Sequence, residues 1–276
     1  VGMMFMVMLQ VKFTIRSIRM NHLVILLANI AVGMGGWGIF MLAGNRELAE
    51  VAFFTGITPT ATAAPVIVGL LGERVDYAVS AFLATNFGMA VLFPFLIPIA
   101  IGNPAPTVFA DVIGSLCIVV GIPVALAIPI RKLYPGATDL PKRCKNLSFF
   151  TWVAAIFLII ANASHFLREQ QANLPPGILW KIAIVSLLIC IVNFAGGRMI
   201  GGKKFFRESS QVLGQKNTTL TIFLAITYAN PLIALGPTFY VIWHNGWNAW
   251  QLQMRTFRER KKRRRVTLLK KPQGSI

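Results

Sequence analysis

The residues with the most chemistry to offer lie in one polar stretch, Gln211 to Thr219 (Gln-Val-Leu-Gly-Gln-Lys-Asn-Thr-Thr), set against the apolar run Leu220 to Leu235. It carries an ammonium, amides and hydroxyls. A bilayer core holds no water for backbone amides, so polar, glycine-broken segments persist at that depth only where they line a cavity inside protein. An ionisable residue so placed, Lys216, marks a site. A second reading puts Gln211 to Asn217 at the wet mouth of a helix beginning at Thr218, with Lys216 reaching for the headgroups. A second stretch of this kind, Thr58 to Pro65 (Thr-Pro-Thr-Ala-Thr-Ala-Ala-Pro), interrupts the apolar run Val51 to Leu71. Prolines remove amide donors and clash with the turn before them. Pro59, Pro65 and Gly214 are therefore the expected helix breaks.

The elements that must hold these stretches are membrane helices. Of 276 residues, 55% are hydrophobic and only 13% charged, with a mean hydropathy of +0.65, whereas soluble domains carry about 25% charged residues. A helix needs about 20 apolar residues to cross a bilayer. An all-α polytopic membrane protein is expected. Much of the formal charge of +18 gathers in Arg255 to Lys271, beyond the last apolar run, which fits a cytoplasmic tail better than nucleic-acid binding. Cys117, Cys144 and Cys190 are scattered, without disulfide or zinc spacing. No nucleophile and base pair, phosphate-cradling glycine loop or metal-ligand spacing occurs, so no enzyme is expected. Membrane lipid is an expected partner and nucleic acid is not.

The chain begins with Val rather than Met, and a natural N-terminal part is expected to precede it. Val1 to Leu9 is too short to span. The expected spans are Leu23 to Ala43, with Gly33, Gly35, Gly36 and Gly38 permitting close helix contact; the broken Val51 to Leu71; Val79 to Ile101; Val108 to Ile130; Phe149 to Phe166; Ile178 to Ile200; the broken Phe205 to Asn230; and Pro231 to Trp250. Basic segments at Lys12 to Arg19, Arg131 to Lys145, Arg198 to Arg207 and the tail fall on alternate turns, hence on the cytoplasmic side. Four spans separate the two broken ones, and each broken span follows one bearing a buried amide, Asn29 or Asn193. Five spans per repeat place two copies in opposite orientation, the inverted pattern in which paired broken helices form a midplane site.

These residues resemble a known family. Ala229-Asn-Pro-Leu-Ile-Ala-Leu235 followed by Tyr240-Val-Ile-Trp-His-Asn245 is similar to the end of the bile acid:sodium symporter family, with its Pro-Leu-Ala-Ala-Leu and Trp-His-Asn signatures. Gly214-x-x-Asn217 resembles that family's Glu-x-Gly-x-Gln-Asn hinge, Pro59-x-x-Thr62-Ala63 its Pro-Gly-Gly-Thr-Ala-Ser-Asn crossing segment, and Asn193-x-x-Gly196 the Asn-x-x-Gly of its eighth helix. The resemblance implies a ten-helix carrier of inverted five-helix repeats, with panel and core domains whose broken helices cross at the sodium and substrate site. About eight full spans would then be present. Residues 1–101 would be the first repeat, from the end of the second helix to the fifth; residues 102–250 the second repeat; and residues 251–276 the basic cytoplasmic tail. It also implies the bacterial inner membrane and a substrate that is a small organic anion, bile-acid-like or another carboxylate, usually moved with sodium.

The departures bear on coupling. Aligned on Asn217, the family's hinge glutamate falls at Val212 and its glutamine at Lys216, while the crossing-segment serine and asparagine fall at Ala64 and Pro65. Sodium favours hard oxygen ligands, and here oxygen donors give way to an ammonium. Two unit charges at 4 Å repel by about 4 kcal/mol at an effective dielectric near 20. Sodium-independent or proton-linked transport is therefore expected, against an ordinary sodium symporter or a non-transporting binding protein of transporter descent; no metal or other cofactor is called for. The residues expected to line the site are Asn29, Thr58, Thr60, Thr62, Thr85, Asn86, Gln215, Lys216, Asn217 and Thr218. For each threonine the alternative is a bond to the carbonyl one turn back, and for Asn29 and Asn193 a contact between helices.

Overall fold

The computed structural model describes residues 18–102, 117–144 and 176–269, with scattered positions elsewhere, and is almost entirely helical. Among these residues the helices are α1 Met20–Leu42, α2 Arg46–Gly56, α3 Ala63–Leu70, α4 Val75–Ile101, α5 Ile122–Leu133, the single turn α6 Leu140–Arg143, α7 Ile178–Gly214, α8 Thr218–Tyr228 and α9 Pro231–Leu269. Three of them, α1, α4 and α7, are long and apolar enough to cross a membrane. The expected span Val108 to Ile130 is described from Cys117 onward, as a π turn leading into α5. Most of Phe149 to Phe166, with Lys12 and Arg16, lies outside the described residues.

Local chemistry sets the ends. The side chain of Asn45 accepts from the Leu48 amide at 3.0 Å, the favoured arrangement at a helix start. Asn45 to Glu50, which reads as a polar turn, is thus already the first turn of α2. Arg46 extends from that turn to the Ile101 carbonyl at 2.7 Å and so ties the start of α2 to the end of α4. The α2 helix stops at Gly56, short of Pro59. Pro65 does not break the chain: it stands in the first turn of α3, where a missing amide proton costs no helical bond. Gly214 is the last helical residue of α7, so the helix breaks off where the glycine stands. A β-carbon there would lie 2.5 Å from the Phe194 ring, so the site needs a small residue because an aromatic ring packs on it.

The expected span Ile178 to Ile200 and the first part of the broken span Phe205 to Asn230, as far as Gly214, both fall within α7. Its backbone leaves helical geometry at Gly202, with φ 56°, and at Phe205, so that the chain reverses there and the second part packs back along the first. Gly197 and Gly201 allow that approach, since a β-carbon on Gly197 would meet the Ser209 carbonyl oxygen at 2.4 Å. Near this turn Tyr77 stacks on Phe205 with centroids 4.5 Å apart and shares a 2.6 Å hydrogen bond with Ser209. On α1, Gly33 and Gly36 face α2, whereas a side chain at Gly35 or Gly38 would meet nothing within 4 Å. At the far end, α9 does not stop at Trp250: the helix continues through the basic segment to Leu269.

Candidate functional site

The two helix breaks meet. Between α2 and α3 the chain is non-helical at Pro59 to Ala61; between α7 and α8 it is non-helical at Gln215 to Asn217. The two segments run antiparallel and pair, Thr60 opposite Lys216. The Ala61 amide donates to the Gln215 carbonyl at 2.8 Å, and the Asn217 amide donates to the Pro59 carbonyl at 2.8 Å. Each break therefore satisfies backbone groups of the other, which is how non-helical backbone survives where no water is at hand. The pairing also fixes which side chains converge.

Lys216 is 1% exposed. Its Nζ donates to the Gly56 carbonyl at 3.1 Å and to Asn29 Oδ1, so the ammonium sits on the last carbonyl of α2 and is joined to α1. The C-terminal end of a helix carries about half a negative charge, which favours a cation there. Around it, Thr85 donates to Thr60 Oγ1 at 2.9 Å, Thr60 donates to the Val212 carbonyl at 2.9 Å, and Asn86 Nδ2 donates to the Thr60 carbonyl at 2.9 Å. These bonds join α4 to the first break and, through Thr60, to the last turn of α7. Thr58 donates to the Phe54 carbonyl at 2.7 Å, one turn back, and also meets Thr221 Oγ1 at 3.1 Å.

The opposite severed end is held by Tyr240. Its hydroxyl donates to the Gly214 carbonyl at 2.8 Å and accepts from Asn193 Nδ2 at 3.3 Å. The last residues of α2 and of α7 thus each have a carbonyl bonded to a side chain from elsewhere, Lys216 on Gly56 and Tyr240 on Gly214. Asn29 and Asn193 stand beside these two contacts.

The chain matches no protein-family model and none of the curated proteins. What the site can do must come from its own groups. Of the expected residues, Asn29, Thr58, Thr60, Thr85, Asn86 and Lys216 converge on the crossing. Gln215 instead donates to Gln211 Oε1 at 3.1 Å, and Gln211 donates to Gln251 Oε1 at 2.7 Å, forming a separate polar line toward α9. Asn217 caps α8 through the Leu220 amide at 3.4 Å. Thr218 is buried in the first turn of α8, and Thr62, half-buried at the start of α3, makes no capping bond. Tyr240, Thr221 and the Gly56 carbonyl complete the site without having stood out in the sequence. A tyrosine inside an apolar run needs a partner for its hydroxyl when buried, and that alone could have pointed to Tyr240.

Two buried polar atoms at the crossing, Asn29 Nδ2 and Asn86 Oδ1, have no hydrogen-bond partner. The bonded ends of both amides, Asn29 Oδ1 and Asn86 Nδ2, are the ones that meet the crossing residues. Among the described residues no group of three or more His, Cys, Asp or Glu converges.

Replacement of Tyr240 by phenylalanine tests the second contact. It removes the donor to Gly214 and leaves Asn193 Nδ2 without a partner. The expected loss is about 1 to 2 kcal/mol, read as a lower melting temperature in detergent. Tyr134→Phe, at an exposed position, should change nothing.

Proposed function

We propose that the chain is the core of a multi-pass secondary carrier that moves a small organic anion, bile-acid-like or another carboxylate, by alternating access without sodium. The observation that carries this reading is the paired crossing with Lys216 at its centre. In carriers built on broken helices, backbone carbonyls at severed helix ends hold the coupling cation. Here the Gly56 carbonyl and Asn29 Oδ1 are engaged by an ammonium that the chain itself supplies. These oxygens are taken up by Lys216, and a sodium ion would have to displace a covalently tethered cation or sit beside it.

The anion preference follows from the donors. An ammonium has three N–H groups, and Lys216 uses two of them. The third, with the unpartnered Asn29 Nδ2, suits the two oxygens of a carboxylate. Because the crossing joins α1, α2, α4 and α7, movement of these helices as a unit would carry the site from one face to the other. The basic extension of α9 would then lie on the inner side, in a bacterial inner membrane by the family resemblance.

The test is uptake into sealed vesicles containing the purified protein, with radiolabelled pyruvate and taurocholate as probes. Uptake of one of them is expected at equal rates in sodium and potassium chloride, and an imposed pH gradient shows whether protons are linked. Binding without accumulation removes the carrier reading. Strict dependence on sodium removes the role given to Lys216.

A further inference from the structure

A groove of about 980 Å³ runs between α7 and α9. That is at the upper end of small-molecule sites. Its wall is aromatic: Phe194 and Trp247 have ring centroids 5.4 Å apart, and Trp247 and Trp250 5.0 Å apart. Its rim is cationic. Arg198 and Arg207 each place a guanidinium 5.2 Å from the Phe206 ring, and Arg255 donates to the Leu70 carbonyl at the end of α3. The lining holds three arginines and no carboxylate. Glu73, outside it, pairs with Arg207 at 2.5 Å. Arg198 is exposed and meets no carboxylate among the described residues.

We propose that this groove binds one anionic phospholipid of the surrounding bilayer, its phosphate at Arg198 and an acyl chain along the tryptophans. Three features select a lipid over a soluble anion. The open side is flanked by Ile191, 54% exposed, and Ile242, 48% exposed, apolar residues on the outward faces of α7 and α9. The tryptophans stand where α9 passes from apolar to basic sequence, the level at which aromatic rings meet headgroups. Basic pockets between membrane helices recognise acidic headgroups, whose charge complements the arginines. This site is separate from the proposed carrier function and stands or falls without it.

The experiment uses the whole purified chain in mild detergent, with native mass spectrometry and thermal melting as readouts. Dioleoylphosphatidylglycerol, dioleoylphosphatidylcholine and free glycerol phosphate are added in parallel. The expected result is retention of one phosphatidylglycerol and a raised melting temperature, with little response to the other two. Arg198→Gln should melt like the parent without lipid, since the side chain is exposed, yet retain about fivefold less phosphatidylglycerol, the effect of one basic side chain at an anionic surface. Trp250→Ala, 52% exposed in the parent, should weaken retention too. Equal retention of both phospholipids overturns the proposal, as does undiminished binding by Arg198→Gln, which would assign it to the basic end of α9. An equal response to glycerol phosphate also overturns it, making the groove a soluble-anion site.

Discussion

Sodium will not raise the melting temperature of this protein until Lys216 is removed. A ligand that binds only the native state stabilises it by mass action, about 2.7 kcal/mol at a concentration of 100 Kd, so a sodium site would show as a gap between melting curves in sodium and in potassium chloride. In the parent chain the two curves should coincide. The Lys216 ammonium already lies on the Gly56 carbonyl and Asn29 Oδ1, and a second cation within 4 Å would meet about 4 kcal/mol of repulsion at an effective dielectric near 20.

Lys216→Gln keeps a polar side chain but loses both the charge and the reach. The severed end of α2 then has an unopposed partial negative charge, and the melting temperature should fall in potassium by the equivalent of about 2 kcal/mol, the order for an unsatisfied buried polar group. Sodium should now restore part of that loss, because the freed carbonyl and amide oxygens are hard donors of the kind it favours. Lys216→Met removes the polar end as well, and the fall in potassium should be larger. If sodium stabilises the parent chain, the lysine is not occupying the place of an ion, and an ordinary sodium symporter becomes the better account. If sodium affects no variant, the crossing is a structural clasp and the coupling must be sought elsewhere.

The breaks were legible in the sequence because they rest on backbone chemistry. Pro59 cannot donate, and a run of amides and hydroxyls around Lys216 cannot face lipid, so α2 and α7 had to end near them. Their mutual pairing was not legible, since it depends on a register between segments far apart in the chain. That register decides that Lys216 stands opposite Thr60 and reaches Asn29, while Gln215, its neighbour, turns toward Gln211. Pro65 read as a break because sequence cannot tell a proline in a first helical turn from one in a helix interior; α7 does end at Gly214, but sequence could not show that the glycine is needed there for the space beside Phe194. The reversal at Gly202 was anticipated as a turn between spans, but the close return of α7 upon itself was not.

The second large effect concerns glycines that look alike in sequence and differ in surroundings. Gly33 and Gly35 lie in the same apolar helix, two positions apart. A β-carbon at Gly33 would lie 2.7 Å from Ile57 Cβ and 2.8 Å from the Ile57 amide nitrogen, whereas one at Gly35 would meet nothing within 4 Å. Ile57 directly follows α2 and leads into the crossing, so it cannot retreat without moving the Gly56 carbonyl on which Lys216 rests. Gly33→Ala should therefore cost about 3 kcal/mol, toward the upper end for an overpacked site, and should alter the sodium response as well as the melting temperature. Gly35→Ala should gain up to about 1 kcal/mol from helix propensity. Gly197→Ala repeats the test on α7, where the obstacles are the Ser209 carbonyl oxygen at 2.4 Å and Ser210 Cα at 2.8 Å. Both belong to the main chain, so rotation of a side chain offers no relief. Melting curves and monodispersity in detergent decide the matter: comparable losses at Gly33 and Gly35 would mean that another segment covers the outer face of α1, whereas a loss confined to Gly33 and Gly197 ties stability to the two close approaches that hold the crossing in register.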